Sequence, residues 1–182
     1  MTFTGKDNSA KAFEANVNIR RNGDYIFVLQ PAPYYEKSED IYIQQITKSY
    51  LNKGGIPDGW DKPVGLPTEI VPFNKPTNVL AGSTFTGQVL SKGKPAAGVE
   101  IEIEYMAAPP DVQTNRPSSK GSASAKGGTL VAVTDARGMF TFGIPKEGFW
   151  GFAALGSGPK KKYKGKELSQ DAVIWIRADK ME

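Results

Sequence analysis

The chain contains no cysteine and no histidine, and these two absences exclude most common catalytic and metal-binding sites. Without cysteine there is neither a disulfide framework nor a thiolate metal site. Without histidine there is no Ser-His-Asp triad, no imidazole general base and no imidazole metal ligand. Carboxylates, lysine, serine and tyrosine remain for chemistry, but the sequence contains no nucleophile elbow, phosphate-binding loop or spaced pair of acids. We therefore expect a protein that is not an enzyme.

Long apolar runs and a strongly basic face are also lacking. No run approaches the roughly 18 apolar residues of a transmembrane helix, and the start, MTFTGKDNSAKAFEANVNI, lacks the charged and apolar regions of a secretion signal. The net charge of +4 is concentrated, because five of the 23 lysines and arginines lie in GPKKKYKGK at 158–166. Such a run is typical of a solvated loop. We expect no membrane span and no nucleic-acid partner.

What the sequence has in abundance is short strand patterns separated by turns. Phe13 to Ile19 alternates apolar and polar residues, which predicts a strand. RNGD at 21–24 predicts a hairpin turn, because Asn-Gly tolerates positive φ, and YIFVLQP then predicts the returning strand. DIYIQQITKSYL at 40–51 predicts another strand from its β-branched and aromatic residues, with a helix as the alternative. These elements form a partial N-terminal β unit over residues 1–52.

Two further regions follow this unit. Residues 53–76 are rich in proline and glycine, which predicts a linker laid over a surface. Residues 77–182 predict a C-terminal β-sandwich domain, with a mobile loop at 107–128 where few side chains are apolar. Within it, Asp135 to Gly138 predicts a hairpin turn. The expected fold is all-β: an antiparallel immunoglobulin- or transthyretin-like β-sandwich, preceded by part of a second β-sandwich unit.

Two resemblances are carried by these segments. The pattern GxVxxxGKPxxGVxIxI at 87–103, followed by TDARGMFTF at 134–142, resembles transthyretin- or carboxypeptidase-regulatory-like modules, which carry no single function. Three longer segments resemble, in the same order, a periplasmic family associated with nickel and cobalt uptake: GDYIFVLQPAPYYEKSEDIYIQQITK, GWDKPVGLPTEIVPFNKP and GFWGFAALGSGPKKKYKGKELSQDAVIWIRA. That family contains soluble partners of energy-coupling-factor-type metal importers and is described as a conserved domain of unknown function.

The second resemblance implies a location, partners and a metal. It implies two β-sandwich units in tandem behind a secretion signal, a periplasmic location, and importer subunits or another envelope protein as partners. Members carry histidines in the first sandwich as the expected ligands of Ni²⁺ or Co²⁺. This chain is expected to begin inside that sandwich, truncated relative to the family, and it has no histidine. We therefore expect an accessory uptake component in which the metal site is not retained, with Ni²⁺ or Co²⁺ held in a longer form.

The remaining metal candidates in this chain are carboxylates. Asp58, Asp61 and Glu69 are possible oxygen ligands for a hard cation. Their spacing matches no EF-hand-type loop, and PDGWDKP is read equally well as turn chemistry. A structural role for the three residues is therefore the alternative.

An aromatic group supplies the interface candidates. Tyr34, Tyr35, Tyr42 and Trp60 could line a surface for a sugar or a protein partner. Because aromatic residues beside prolines also pack domain interfaces, a structural role is again the alternative. Two functions stay open at this point. One is the accessory or metal-binding component of nickel or cobalt uptake, and the other is a non-catalytic β-sandwich interaction module of the cell envelope that binds protein or carbohydrate.

Overall fold

The computed structural model describes residues 1–5, 8–118 and 129–181, and within these ranges the regular structure is all β-strand. The strands in chain order are β1 (Thr2–Thr4), β2 (Ser9–Lys11), β3 (Gly23–Leu29), β4 (Tyr34–Glu36), β5 (Ile41–Lys53), β6 (Thr68–Pro72), β7 (Val79–Leu80), β8 (Thr84–Ser91), β9 (Lys94–Pro95), β10 (Glu100–Tyr105), β11 (Pro110–Asp111), β12 (Arg116–Pro117), β13 (Leu130–Val133), β14 (Met139–Gly143), β15 (Gly148–Ala154), β16 (Lys161–Tyr163) and β17 (Lys166–Asp179). The described part of the chain contains no helix long and apolar enough to cross a membrane.

Most strands belong to two sheets. Nine strands form the larger sheet, along the path β13-β10-β15-β17-β5-β3, with β4 beside β5 and with β7 and β16 beside β17. Its central strand, β17, runs antiparallel to β15 and parallel to β5. The smaller sheet has the order β14-β8-β6, with β9 beside β8. Two short ribbons, β1-β2 and β11-β12, complete the pairing.

The two sheets share one apolar core, which makes the architecture a β-sandwich. Its members are apolar side chains of both sheets, each at most 4% exposed: Ile70, Val79, Phe85, Val89, Ile101, Ile103, Phe140, Ile144, Trp150, Phe152, Ala154, Ala172, Ile174, Ile176 and Ala178. The rings of Phe85 and Phe152 lie 4.8 Å apart, and that of Phe140 contacts both. Burying one such large side chain stabilises the fold by about 1.5–3 kcal/mol. The predicted all-β sandwich is confirmed.

The strand predicted from Phe13 to Ile19 is wrong. Residues 12–20 have no regular structure, and Phe13 is 84% exposed. The alternating pattern is present, but no neighbouring strand pairs with it among the described residues. The predicted hairpin at 21–24 is wrong for the same reason, because β3 pairs instead with β5, which follows it in the chain.

The turn at Asp135 to Gly138 forms, but it does not make a hairpin. The Gly138 N–H donates to the Asp135 carbonyl at 2.9 Å, and Gly138 has φ of 71°. The strands on either side separate, since β13 pairs with β10 in the larger sheet and β14 with β8 in the smaller one. The turn therefore carries the chain from one sheet to the other.

The regions predicted on either side of the linker meet in one sheet. β3 and β5, from the predicted N-terminal unit, extend the sheet built on β17. Within 53–76, β6 is buried along its whole length and is paired with β8. Of the loop predicted to be mobile at 107–128, residues 119–128 lie outside the described residues, and the part before them contains β11 and β12.

Candidate functional site

Three tyrosines meet at one end of the larger sheet. Tyr35 on β4 lies opposite Tyr42 on β5, with ring centroids 5.4 Å apart. The ring of Tyr163 on β16 packs edge-on against Tyr42 at 5.0 Å. With Asp40 and Lys166, these residues form what we call the tyrosine patch. It joins segments that are far apart in the chain, because β16 and β4 are both short strands added beside the β17-β5 pair.

Asp40 holds the patch together by accepting two hydrogen bonds. The Tyr35 hydroxyl donates to Asp40 Oδ1, and Lys166 Nζ donates to the same oxygen at 2.5 Å. Lys166 also lies over the Tyr35 ring, 5.5 Å from its centroid. Asp40 has φ of 60°, a conformation that aspartate tolerates better than most residues. This conformation ends the turn between β4 and β5 and so places the carboxylate beside Lys166.

The charges of the patch are fixed over the neutral range. The Lys166 and Tyr35 hydrogen bonds hold the pKa of Asp40 below its ordinary value. The hydrogen bond to Asp40 raises the pKa of Lys166 and also that of Tyr35. At neutral pH the patch therefore presents a carboxylate, an ammonium group and a neutral phenol.

The local turn that supplies Tyr163 and Lys166 has a recognisable sequence. These residues form a pair across the β16-β17 hairpin, and Lys164 and Gly165 between them both have positive φ, 47° and 82°. A two-residue turn with two positive φ values matches the twist of a β-hairpin. Sequence reasoning missed both patch residues, although KYKGK carries this turn signal inside the lysine-rich stretch 158–166.

The other two aromatic candidates lie outside the patch. Tyr34 is 48% exposed, and as the neighbour of Tyr35 in a strand it faces the opposite side. Trp60 is half-buried in the loop before β6 and makes no ring contact with the tyrosines in the described structure. The predicted aromatic group is therefore only partly brought together, as Tyr35 and Tyr42.

The carboxylate candidates are held by separate protein partners. The Asp58 carboxylate lies 3.7 Å from Arg21, and that of Asp61 lies 3.7 Å from Lys62, both at the surface. Within residues 1–5, 8–118 and 129–181 there is no group of three or more acidic side chains that could hold a metal ion. The structure does not assemble Asp58, Asp61 and Glu69 into one site.

Glu69 is instead buried in an ion pair between the sheets. Its carboxylate lies 3.0 Å from Lys48 Nζ, and both side chains are 1% exposed. It also accepts backbone N–H bonds from the loop at 64–66. Burial alone would raise the pKa of Glu69, but these N–H groups and Lys48 outweigh it and lower the pKa. Burial lowers the pKa of Lys48 although Glu69 opposes this. All of the acceptor capacity of Glu69 is used within the protein.

The described residues thus form a β-sandwich with a tyrosine patch at its surface and a buried ion pair between its sheets. The chain belongs to the family described as Domain of unknown function (DUF4198), whose model matches residues 1–158. No curated protein and no solved structure gave a significant match to the chain. The family description assigns no activity, so the function has to be argued from the molecule.

Proposed function

We propose that the chain is a non-catalytic accessory component of a nickel or cobalt uptake system in the periplasm, and that it binds a protein partner through the tyrosine patch. One observation carries this proposal. Two of the three segments that resemble the uptake family meet at the patch, with Tyr35 and Tyr42 from the first and Tyr163 and Lys166 from the third. Exposed tyrosine is enriched where proteins bind each other, because it offers a large apolar area with a polar tip.

We assign to the chain the role of binding a partner protein and not that of chelating a metal ion. Nickel and cobalt favour nitrogen ligands such as imidazole, and this sequence contains no histidine. The most enclosed carboxylate among the predicted ligands, Glu69, is already paired with Lys48. A protein partner would then supply the metal-binding groups of the system.

The test is direct binding to purified importer subunits. Tyr35→Ser should weaken binding by about tenfold or more, since an aromatic anchor at an interface contributes roughly 1–2 kcal/mol or more. The matched control is Phe73→Ser, because Phe73 is also an exposed aromatic residue (54%) but lies outside the patch. Lys166→Glu should also weaken binding, because it places two carboxylates together at Asp40.

Three results would contradict the proposal. The first is equal loss of binding in Tyr35→Ser and Phe73→Ser, and the second is no binding of any importer subunit by the unmodified chain. The third is stoichiometric Ni²⁺ or Co²⁺ binding by this chain in calorimetric titration, which would give it a chelating role.

A second candidate function, carbohydrate binding, is favoured by the outer face of the larger sheet. The Trp175 indole lies on Gly151, so close that a Cβ added there would be 2.8 Å from the ring. Beside it, Gln45, Glu102 and Glu104 line a shallow groove. An aromatic plane flanked by hydrogen-bonding groups suits a sugar ring. Glycan-array binding that is lost in Glu104→Gln would support this candidate, and an array without any signal would remove it.

A further inference from the structure

The larger sheet contains a fork, because β17 changes its parallel neighbour. β17 pairs with β5 as far as Trp175 opposite Ser49, and then with β7 from Ala178 opposite Val79. Beyond Ser49, β5 remains paired with β3, and residues 75–78, which precede β7, line the gap from the other side. The opening between them is a cavity of about 550 Å³. That volume lies within the range of small-molecule sites.

Aromatic side chains line this fork cavity. Tyr50, Phe149 and Trp175 lie in its walls, with Thr77 beside them. The hydroxyl oxygens of Tyr50 and Thr77 are themselves buried within the protein, so the cavity meets the rings and not these hydroxyl groups. Such walls suit a flat apolar group.

The charged residues at the fork favour an anion. Lys75 and Arg177 contribute two positive charges and Asp179 one negative charge, which leaves a net charge of +1. The Arg177 guanidinium lies over the Phe149 ring, 6.0 Å from its centroid, and its Nε lies 3.2 Å from Asp179 Oδ1. The guanidinium group of arginine is the side-chain group best suited to binding a carboxylate.

We propose that the fork cavity is a binding site for a small organic anion, a carboxylate joined to a flat apolar body. The carboxylate is held by Arg177 and Lys75, and the apolar body lies against Phe149 and Trp175. The site is separate from the tyrosine patch and does not depend on the uptake role.

Benzoate is the probe for this site, and benzamide is its neutral isostere. Binding to the full chain is followed by saturation-transfer NMR of the probe and by tryptophan fluorescence, to which Trp175 contributes. We expect saturable benzoate binding and at least about tenfold weaker benzamide binding, since a charge-assisted contact is roughly twice as strong as a neutral one.

Two arginines provide a matched comparison. Arg177→Gln should weaken benzoate binding by about tenfold. Arg137→Gln should leave it unchanged, because Arg137 is a similarly exposed arginine paired with Asp135 outside the fork. Equal effects of the two changes would overturn the assignment, as would benzamide binding as strongly as benzoate or the absence of a saturable response up to about 10 mM.

Discussion

Replacing one member of the buried Lys48–Glu69 pair tests how the two sheets are joined. Lys48 lies on β5 in the larger sheet and Glu69 on β6 in the smaller one, so the pair crosses the sandwich. The partners are not equivalent. Glu69 accepts three backbone N–H groups in addition to Lys48, whereas Glu69 is the hydrogen-bond partner of Lys48 Nζ. We therefore predict different costs for the two single substitutions.

The expected magnitudes follow from what each change leaves buried. Lys48→Met leaves a carboxylate that backbone N–H groups still stabilise, and its cost should lie near 3 kcal/mol, the lower end for a broken buried pair. Glu69→Leu leaves a buried ammonium and also removes the acceptor of the loop at 64–66. With about 1 kcal/mol or more for the orphaned N–H groups, its cost should reach or exceed about 5 kcal/mol. That is a large part of an ordinary domain's stability of about 5–15 kcal/mol.

Urea unfolding followed by the fluorescence of buried Trp150 measures both costs. In Glu69→Leu, burial holds the pKa of Lys48 below its unfolded value of about 10.4, so this variant should gain stability as pH rises towards that value. In the unmodified protein the lowered pKa of Glu69 contributes stability that is lost as pH falls through that pKa, below the ordinary glutamate range. Equal costs for the two variants, or costs below about 1 kcal/mol, would refute the reasoning.

Three further predictions concern the core, one buried acid and one turn. Phe140→Ala should lower the unfolding free energy by about 3–5 kcal/mol because it opens a cavity between the sheets, and an unchanged melting temperature would contradict this. Burial raises the pKa of Asp171, so its charge costs stability above that pKa and the cost vanishes as pH falls. Asp171→Asn should therefore melt higher than the parent at pH 7 and equally near about pH 3, and a lower melting point at pH 7 would count against it. Gly138→Ala should cost roughly 1–3 kcal/mol in chemical denaturation, since φ is 71° and the added Cβ would lie 2.8 Å from the Val89 carbonyl oxygen. An unchanged unfolding free energy in Gly138→Ala would show that the turn adjusts to the added Cβ.

Much of the fold was predictable because its strongest signals are local. The strict alternation in β10 and the aromatic residues of β14 and β15 encode half-buried strands, and the Asp135–Gly138 turn needs only its own residues. The strand with which each strand pairs is harder to predict, because it depends on residues far away in the sequence. The alternating segment at 13–19 pairs with no strand among the described residues, and the turn at 135–138 joins two sheets instead of two neighbouring strands.

The candidate site was predicted in part for the same reason. Tyr35 and Tyr42 meet because the turn at Asp40 returns the chain locally, and their pairing could be expected from the sequence. Tyr163 and Lys166 come from the other end of the chain, and they lie beside Tyr35 and Tyr42 only because β17 pairs with β5. Glu69 was predicted as a possible oxygen ligand, with a structural role as the alternative, and the proline- and glycine-rich segment around it predicted a linker where the structure has a fully buried strand.

The central position of β17 has a consequence for how the molecule forms. Gln170 on β17 pairs with Gln44 on β5, 126 positions earlier, and β15, β16 and β7 also pair with this strand. Loop closure over such a distance slows folding, and parallel pairing adds to the delay. During synthesis, the edges of β5 and β15 that pair with β17 therefore stay unpaired until β17 has been made. A chaperone that shields strand edges would act in this interval, and molecules released before it would be the ones most prone to aggregate.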